Sequence, residues 1–305
     1  MSACRPVLNF WLRTFEKPYL TRAAGPAEVR QSFERQARLF FYPPLNTHMT
    51  WRRPASGPEV LEISTSGVQP DRVIFYVHGG GFVFGSPNTH GAMVAQLAHR
   101  IGARAILPRY QLAPEAPFPA AINDVSAAWA ALIASGVRPC DVIFGGDSAG
   151  GALIFALLGQ LCETGGDLPG AVFGLSPLTD LSCSGASFRD NAKCEAVLPA
   201  DRAGEMVQAY LSGRDPGDPL ASPSQADFTG GPPVWLTVGD TEILRDDAHL
   251  LAEKLRSCGV AVTLEEQRDL PHVWPIFHNI LPEARATLDT LAGWIRQVQE
   301  WPTEN

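Results

Sequence analysis

The chain has 305 residues, 45% of them hydrophobic and 18% charged, which is ample material for a buried core and excludes a disordered chain. Its net charge of −8 comes without any Lys/Arg block, which argues against a nucleic-acid or anionic-membrane partner. No apolar run reaches the ~18 residues of a membrane span, so no integral membrane association is expected.

In chain order, residues 1–45 read as helix. Phe33, Ala37, Phe40 and Phe41 recur at helical spacing among Arg30, Glu34, Arg35 and Arg38, until Pro43-Pro44 stops the pattern. The first residues, with Arg5, Asn9, Arg13 and Glu16, lack the apolar core of a signal peptide. Two short strands follow at 47–53 and 59–65, around a Pro/Ser/Gly turn. From residue 70 the chain alternates. Residues 72–77 form a continuous apolar run, as a strand buried on both faces requires. Helix 87–101, strand 103–108, helix 118–135, strand 141–144, helix 149–163 and strand 170–175 come next. Strand 234–238, helix 246–258, strand 260–267 and helix 282–299 complete the series. Such alternation predicts an α/β fold with a mostly parallel central sheet flanked by helices. Residues 181–230 interrupt it with one helix near 200–212, and an insertion of that length reads as a lid.

The six cysteines (Cys4, Cys140, Cys162, Cys183, Cys194 and Cys258) stand singly, with no C-x-x-C pair. A reducing, cytoplasmic setting is expected, with the thiols serving as small core hydrophobes. The histidines are far apart and no H-x-x-x-H occurs, so neither a metal nor another cofactor is implied.

Two motifs carry chemistry. Gly146-Asp147-Ser148-Ala149-Gly150 is a G-x-S-x-G match that follows a buried strand and opens a helix. That setting makes a nucleophile elbow, with glycines where the turn is too sharp for side chains and the Ser148 hydroxyl held above the sheet edge. His78-Gly79-Gly80-Gly81 ends the strand at 72–77. Its glycines let the backbone approach a ligand and aim N–H groups at an oxyanion. Gly80, Gly81 and the amide of Ala149 are the expected donors, with Gly79 shaping the loop and His78 positioning it. No Lys follows, so the loop is a poor phosphate cradle.

In this order the two motifs resemble those of the hormone-sensitive-lipase-like (bacterial family IV) esterases of the α/β-hydrolase superfamily. Tyr110-Gln111-Leu112-Ala113-Pro114-Glu115, with Phe118-Pro119-Ala120 and Asp124, matches a further block of that family. Residues 176–180 and 218–223 also look like family segments. The likeness covers residue 70 to the end, with the first 45 residues similar in character only. It implies an α/β-hydrolase fold in which 46–180 and 231–305 form the catalytic domain, while 1–45 and 181–230 form a helical cap.

The base and acid should follow the serine in the order acid, then histidine. Of the histidines after Ser148, His249 falls within a helical pattern and His278 in a turn. His272 sits in the loop where the fold keeps its base. For the acid, the family usually has D-P-L-R-D, and aligning Leu244-Arg245-Asp246 on it puts Glu242 in the catalytic place. This departure leaves Asp240 as the alternative acid, with Glu242 favoured. Asp246 and Asp247 are expected to cap the helix that they open. Glu115, Asp124 and Asp180 read as loop-fixing partners, and Asp147 as a brace of the elbow. Phe82, Phe84 and Trp274 either line the substrate pocket or belong to the core.

The resemblance implies a metal-independent carboxylesterase that cleaves short- to medium-chain acyl esters through an acyl-enzyme. A lactonase or amidase would use the same triad. From another class, non-catalytic ligand-binding receptors share the fold but typically lack the catalytic histidine, which is present here as His272. A small-molecule ester is the expected partner, and the edge strand over 260–267 offers a place where a homodimer could pair.

Overall fold

The computed structural model describes residues 2–301. Its centre is β3 (Val73–Val77), which has no polar alternation because both its faces are covered. Val73, Phe75 and Val77 enter one hydrophobic cluster, and Ile74 and Tyr76 enter the cluster on the opposite face. Alternation of side chains across a strand thus builds two cores on one sheet.

β4 (Arg104–Pro108) and β5 (Val142–Asp147) flank β3 in parallel, followed by β6 (Ala171–Leu175), β7 (Val234–Gly239) and β8 (Val262–Gln267). β1 (His48–Arg52) and β2 (Val60–Ser64) form an antiparallel hairpin, and β2 lies antiparallel to β4. The order is β1-β2-β4-β3-β5-β6-β7-β8, so β8 is an edge. The sheet is mostly parallel, as the alternation of strands and helices requires.

The N-terminal region is not one helix. It breaks into α1 (Cys4–Trp11), a π-helical turn at Leu12–Glu16, α2 (Lys17–Arg22) and α3 (Pro26–Phe40). Gly25 and Pro26 cause the last break, since Pro cannot donate within a helix but suits its first turn. α1 is seated on the far end of the chain: Asn9, fully buried, donates through Nδ2 to Asp269 O at 2.9 Å. Arg30 of α3 reaches Val83 O at 2.7 Å, Ala113 O at 2.8 Å and both oxygens of Glu115.

α4 (Pro87–Ile101) covers one face of the sheet, with Met93 and Leu97 in its core. α5 (Ala120–Ala134) and α6 (Ser148–Thr164) cover the other, with Ile122, Leu153 and Phe155. Between β6 and β7 lie α7 (Ala186–Asp190), which the sequence pattern did not announce, and α8 (Ala200–Leu211). α9 (Arg245–Ser257) joins the face of α5 and α6, and α10 (Pro282–Val298) packs beside α4. The α7–α8 segment is strapped to the N-terminal helices. Arg13 Nη2 donates to Cys194 O at 2.7 Å, Lys17 Nζ to Ala192 O at 2.8 Å and Glu195 O at 2.9 Å, and Arg202 Nη2 to Ala23 O at 2.9 Å.

The cysteines correct an expectation. All six are unpaired: Cys4, Cys140 and Cys194 are exposed, while Cys162, Cys183 and Cys258 are half-buried and pack against the main core, so only these three serve as expected. Among the described residues, no helix is long and apolar enough to cross a membrane.

Candidate active site

β5 ends at Asp147 and α6 begins at Ser148, whose φ of 51° is left-handed and strained for a side-chain-bearing residue. The glycines around it are needed for space. A Cβ on Gly146 would sit 2.6 Å from Gly150 O, and one on Gly150 would strike the carbonyls of Val77 and His78.

The loop after β3 packs directly on this elbow. Asp147, buried, accepts from Tyr76 Oη at 2.6 Å and from Gly79 N at 3.1 Å on Oδ1, while His90 Nε2 lies 3.3 Å from Oδ2. Gly79 therefore has its amide committed to Asp147 and shapes the loop without being a free donor. Gly80 (φ 118°) and Gly81 (φ 57°) turn the chain through conformations that favour glycine, and their amides have no acceptor among the described residues. His78 stacks on Tyr110 at 4.3 Å and its Nδ1 lies 2.8 Å from Gly79 O. Burial, then the neighbouring His90, pushes its pKa down to about 3, so it is a neutral brace.

His272 follows β8. Its Nδ1 lies 2.6 Å from Glu242 Oε2, and both side chains are buried. The other oxygen of Glu242 accepts from Gly239 N at 2.6 Å and Ser176 Oγ at 2.8 Å. Burial alone would lower the His272 pKa. The hydrogen bond and charge of Glu242, with Glu195 and Asp147 beyond, outweigh it and hold the pKa above its ordinary value. Asp240 does not meet the imidazole: its Oδ1 accepts from Asp269 N at 2.7 Å, so it braces the loop that carries His272.

Ser148 and His272 share a cavity of about 140 Å³ with Gly80 and Gly81. Its walls are largely apolar, with Phe33 and Phe41 from the N-terminal region, Phe84 from the loop after β3, and Leu198 and Val207 from the segment between β6 and β7. Of the three aromatic candidates, only Phe84 lines it. Phe82 is stacked face to face on Tyr210 at 3.8 Å, and Trp274 is fully buried with Nε1 donating to Thr287 Oγ1 at 2.9 Å. Both are core residues because their rings pack below the loops that bear them.

His249 is exposed and meets Glu266 at 2.6 Å; His278 is buried against Tyr42 O at 3.1 Å. Asp246 and Asp247 do not cap α9. Asp247 is buried and accepts from Thr179 N at 2.7 Å and Asp180 N at 2.9 Å, while Asp246 accepts from Ser187 N at 2.8 Å. Asp247 thus holds the chain just after β6, and Asp246 holds α7. Ser176, His90, Asn191 and Glu195 also surround the site, and no motif on its own assigned them a part. Ser176 alone had a signal, its place in a family-like segment.

A family model described as alpha/beta hydrolase fold matches residues 74–276. An acetyl-hydrolase of Streptomyces hygroscopicus is 39% identical over 228 residues, covering 75% of this chain and 76% of that one. An esterase of Acinetobacter venetianus is 33% identical over 269 residues, 88% of each chain. Among solved structures, an esterase from the bacterial hormone-sensitive lipase family superposes with a TM-score of 0.91 at 33% identity, over 98% of this chain and 99% of its own. EstE5, soaked with ethyl alcohol, gives 0.93 at 33% identity, over 98% and 100%.

Proposed function

Because the chain belongs to the hormone-sensitive-lipase-like esterases of the alpha/beta-hydrolase family, and is a carboxylester hydrolase, we propose that Ser148, His272 and Glu242 carry the reaction. The observation behind this assignment is the 2.6 Å contact between Glu242 and His272 Nδ1, which leaves Nε2 as the free ring nitrogen in the cavity holding Ser148.

His272 Nε2 takes the proton of Ser148 Oγ as the oxygen attacks the ester carbonyl. The amides of Gly80, Gly81 and Ala149 hold the oxyanion, each worth roughly 3–4 kcal/mol of barrier. The ester C–O bond breaks, and the alcohol leaves with the proton from His272. Water, deprotonated by His272, then splits the acyl-enzyme and frees the acid. Glu242 fixes the tautomer of His272 and stabilises the imidazolium in both halves.

Short- to medium-chain acyl esters are the proposed substrates, because apolar side chains enclose the cavity. The cap would consist of residues 1–45 and 181–230, which supply those walls and are tied together by Arg13, Lys17 and Arg202. The β8 edge supports pairing of a second copy, and unpaired cysteines suit the cytoplasm. A fluorophosphonate should label Ser148, and Ser148→Ala should abolish both labelling and hydrolysis of p-nitrophenyl butyrate. Retained turnover in that variant would overturn the assignment.

A further inference from the structure

Glu195, in the segment between α7 and α8, is a buried carboxylate to which the catalytic steps give no part. Its Oε2 accepts from Ile243 N at 3.1 Å, the amide directly after Glu242, and its Oε1 accepts from Val197 N at 2.8 Å. Four residues earlier, Asn191 Nδ2 donates to the carbonyls of Asp240 at 3.0 Å and Glu242 at 2.8 Å. Together these two side chains grip the backbone of residues 240–243 from donor and acceptor sides alike. The gripping segment is itself held by Arg13 and Lys17 through the carbonyls of Ala192, Cys194 and Glu195.

Taking the triad above as given, we propose that Glu195 is a positioning residue. With Asn191 it clamps the backbone of Glu242, so that docking of the N-terminal helices on the 191–195 segment sets the contact between Glu242 and His272. The clamp acts at short range: a shift of about 1 Å in a catalytic group can cost about 10²-fold in rate. Glu195 also adds a second anion behind the imidazole. The ionisable groups facing it are Lys17 from the N-terminal helices, with Arg13 and Cys194 in turn beside Lys17, and Glu242 and His272 from the loops after β7 and β8. Burial and the Glu242 charge push the Glu195 pKa up, while His272 and the amides of Val197 and Ile243 pull it back.

The test compares wild type, Glu195→Gln and Glu195→Asp by kcat and KM for p-nitrophenyl butyrate between pH 5 and 9, with Tm and the rate of fluorophosphonate labelling at pH 7.5. Glu195→Gln keeps the size but removes the charge. It should lower kcat and the labelling rate about 10- to 100-fold with KM within about twofold, and move the acid limb of kcat/KM to lower pH. Glu195→Asp should keep the acid limb of the wild type. A lowered Tm with unchanged kcat and acid limb would reduce Glu195 to a structural strut and overturn the proposal. Should Glu195→Gln fail to fold, Lys17→Met decides, since it removes the donor to two carbonyls of the segment, those of Ala192 and Glu195. Its kcat should fall several-fold at constant KM, and an unchanged kcat overturns the clamp. Absence of labelling in wild type would instead sink the triad, and the clamp with it.

Discussion

The amide of Gly79 donates to Asp147 Oδ1 at 3.1 Å, so the loop after β3 is tied to the residue immediately before Ser148. Ser148 and the amides of Gly80 and Gly81 are therefore linked through one buried carboxylate, which also accepts from Tyr76.

Asp147→Asn puts an NH2 group where donors converge and loosens that tie. Removing an oxyanion donor outright costs about 10²–10³ in kcat, and misplacing the loop should cost less. We expect kcat to fall roughly 10- to 100-fold with little change in KM. Steady-state kinetics on p-nitrophenyl butyrate check this, and a wild-type kcat would refute the bracing role.

Glu242→Gln should lower kcat by orders of magnitude, since loss of tautomer control in the Ser-His-Asp template costs about 10⁴. Asp240→Asn should do much less, because Asp240 meets Asp269 and not the imidazole. Parallel kinetics on the two variants separate them, and the reverse ranking would exchange their roles.

The pH profile follows from His272. Its neutral form is the proposed base, and its pKa lies above the ordinary 6.5 because Glu242 outweighs burial. Activity should thus fall on the acid side as one proton is taken up, with a midpoint of kcat/KM above 6.5 in wild type. Glu242→Gln should move that midpoint down. A midpoint that ignores the substitution would mean that another group titrates.

Much of this site is legible in the sequence, for a physical reason. Ser148 and the loop glycines are confined to residue types by backbone geometry, so they leave local motifs. The two-faced strands leave continuous apolar runs. Asn191 and Glu195 leave no such trace, since an isolated half-buried amide and a buried carboxylate show no periodicity, and their partners lie about 50 residues away. The break at Gly25-Pro26 interrupts the N-terminal helix although the helical spacing of Phe33, Ala37 and Phe40 beyond it is regular. Phe82 and Trp274 look like Phe84 in composition, and only packing separates core from cavity.

Asp247 gives a stability prediction. Burial raises its pKa from 3.8 to about 7, against the pull of the Thr179 and Asp180 amides. The folded-state pKa is raised, so its contribution is full below the unfolded value and is lost progressively as pH rises to about 7. Asn keeps an acceptor and carries no charge. The Tm of Asp247→Asn relative to wild type should therefore improve by a few degrees between pH 4 and 7.5 and then level off. Scanning fluorimetry across pH tests it, and a flat difference would contradict the buried charge.

Acyl-chain selection should depend on the N-terminal helices. Val29 of α3 lines the cavity, and Val29→Trp would fill it from above. The longest accepted p-nitrophenyl ester should lose at least about tenfold in kcat/KM, roughly what one methylene of pocket is worth, while the acetate is nearly unaffected. Equal losses across chain lengths would place the acyl group elsewhere.

The bond from Asn9 to Asp269 spans 260 residues. α1 leaves the ribosome well before Asp269, yet its seat is complete only once β8 and the residues just beyond it have been made. Closing so long a loop gains nothing until the sheet has formed. Docking of α1 is therefore expected to follow formation of the sheet, although α1 precedes every strand in the chain.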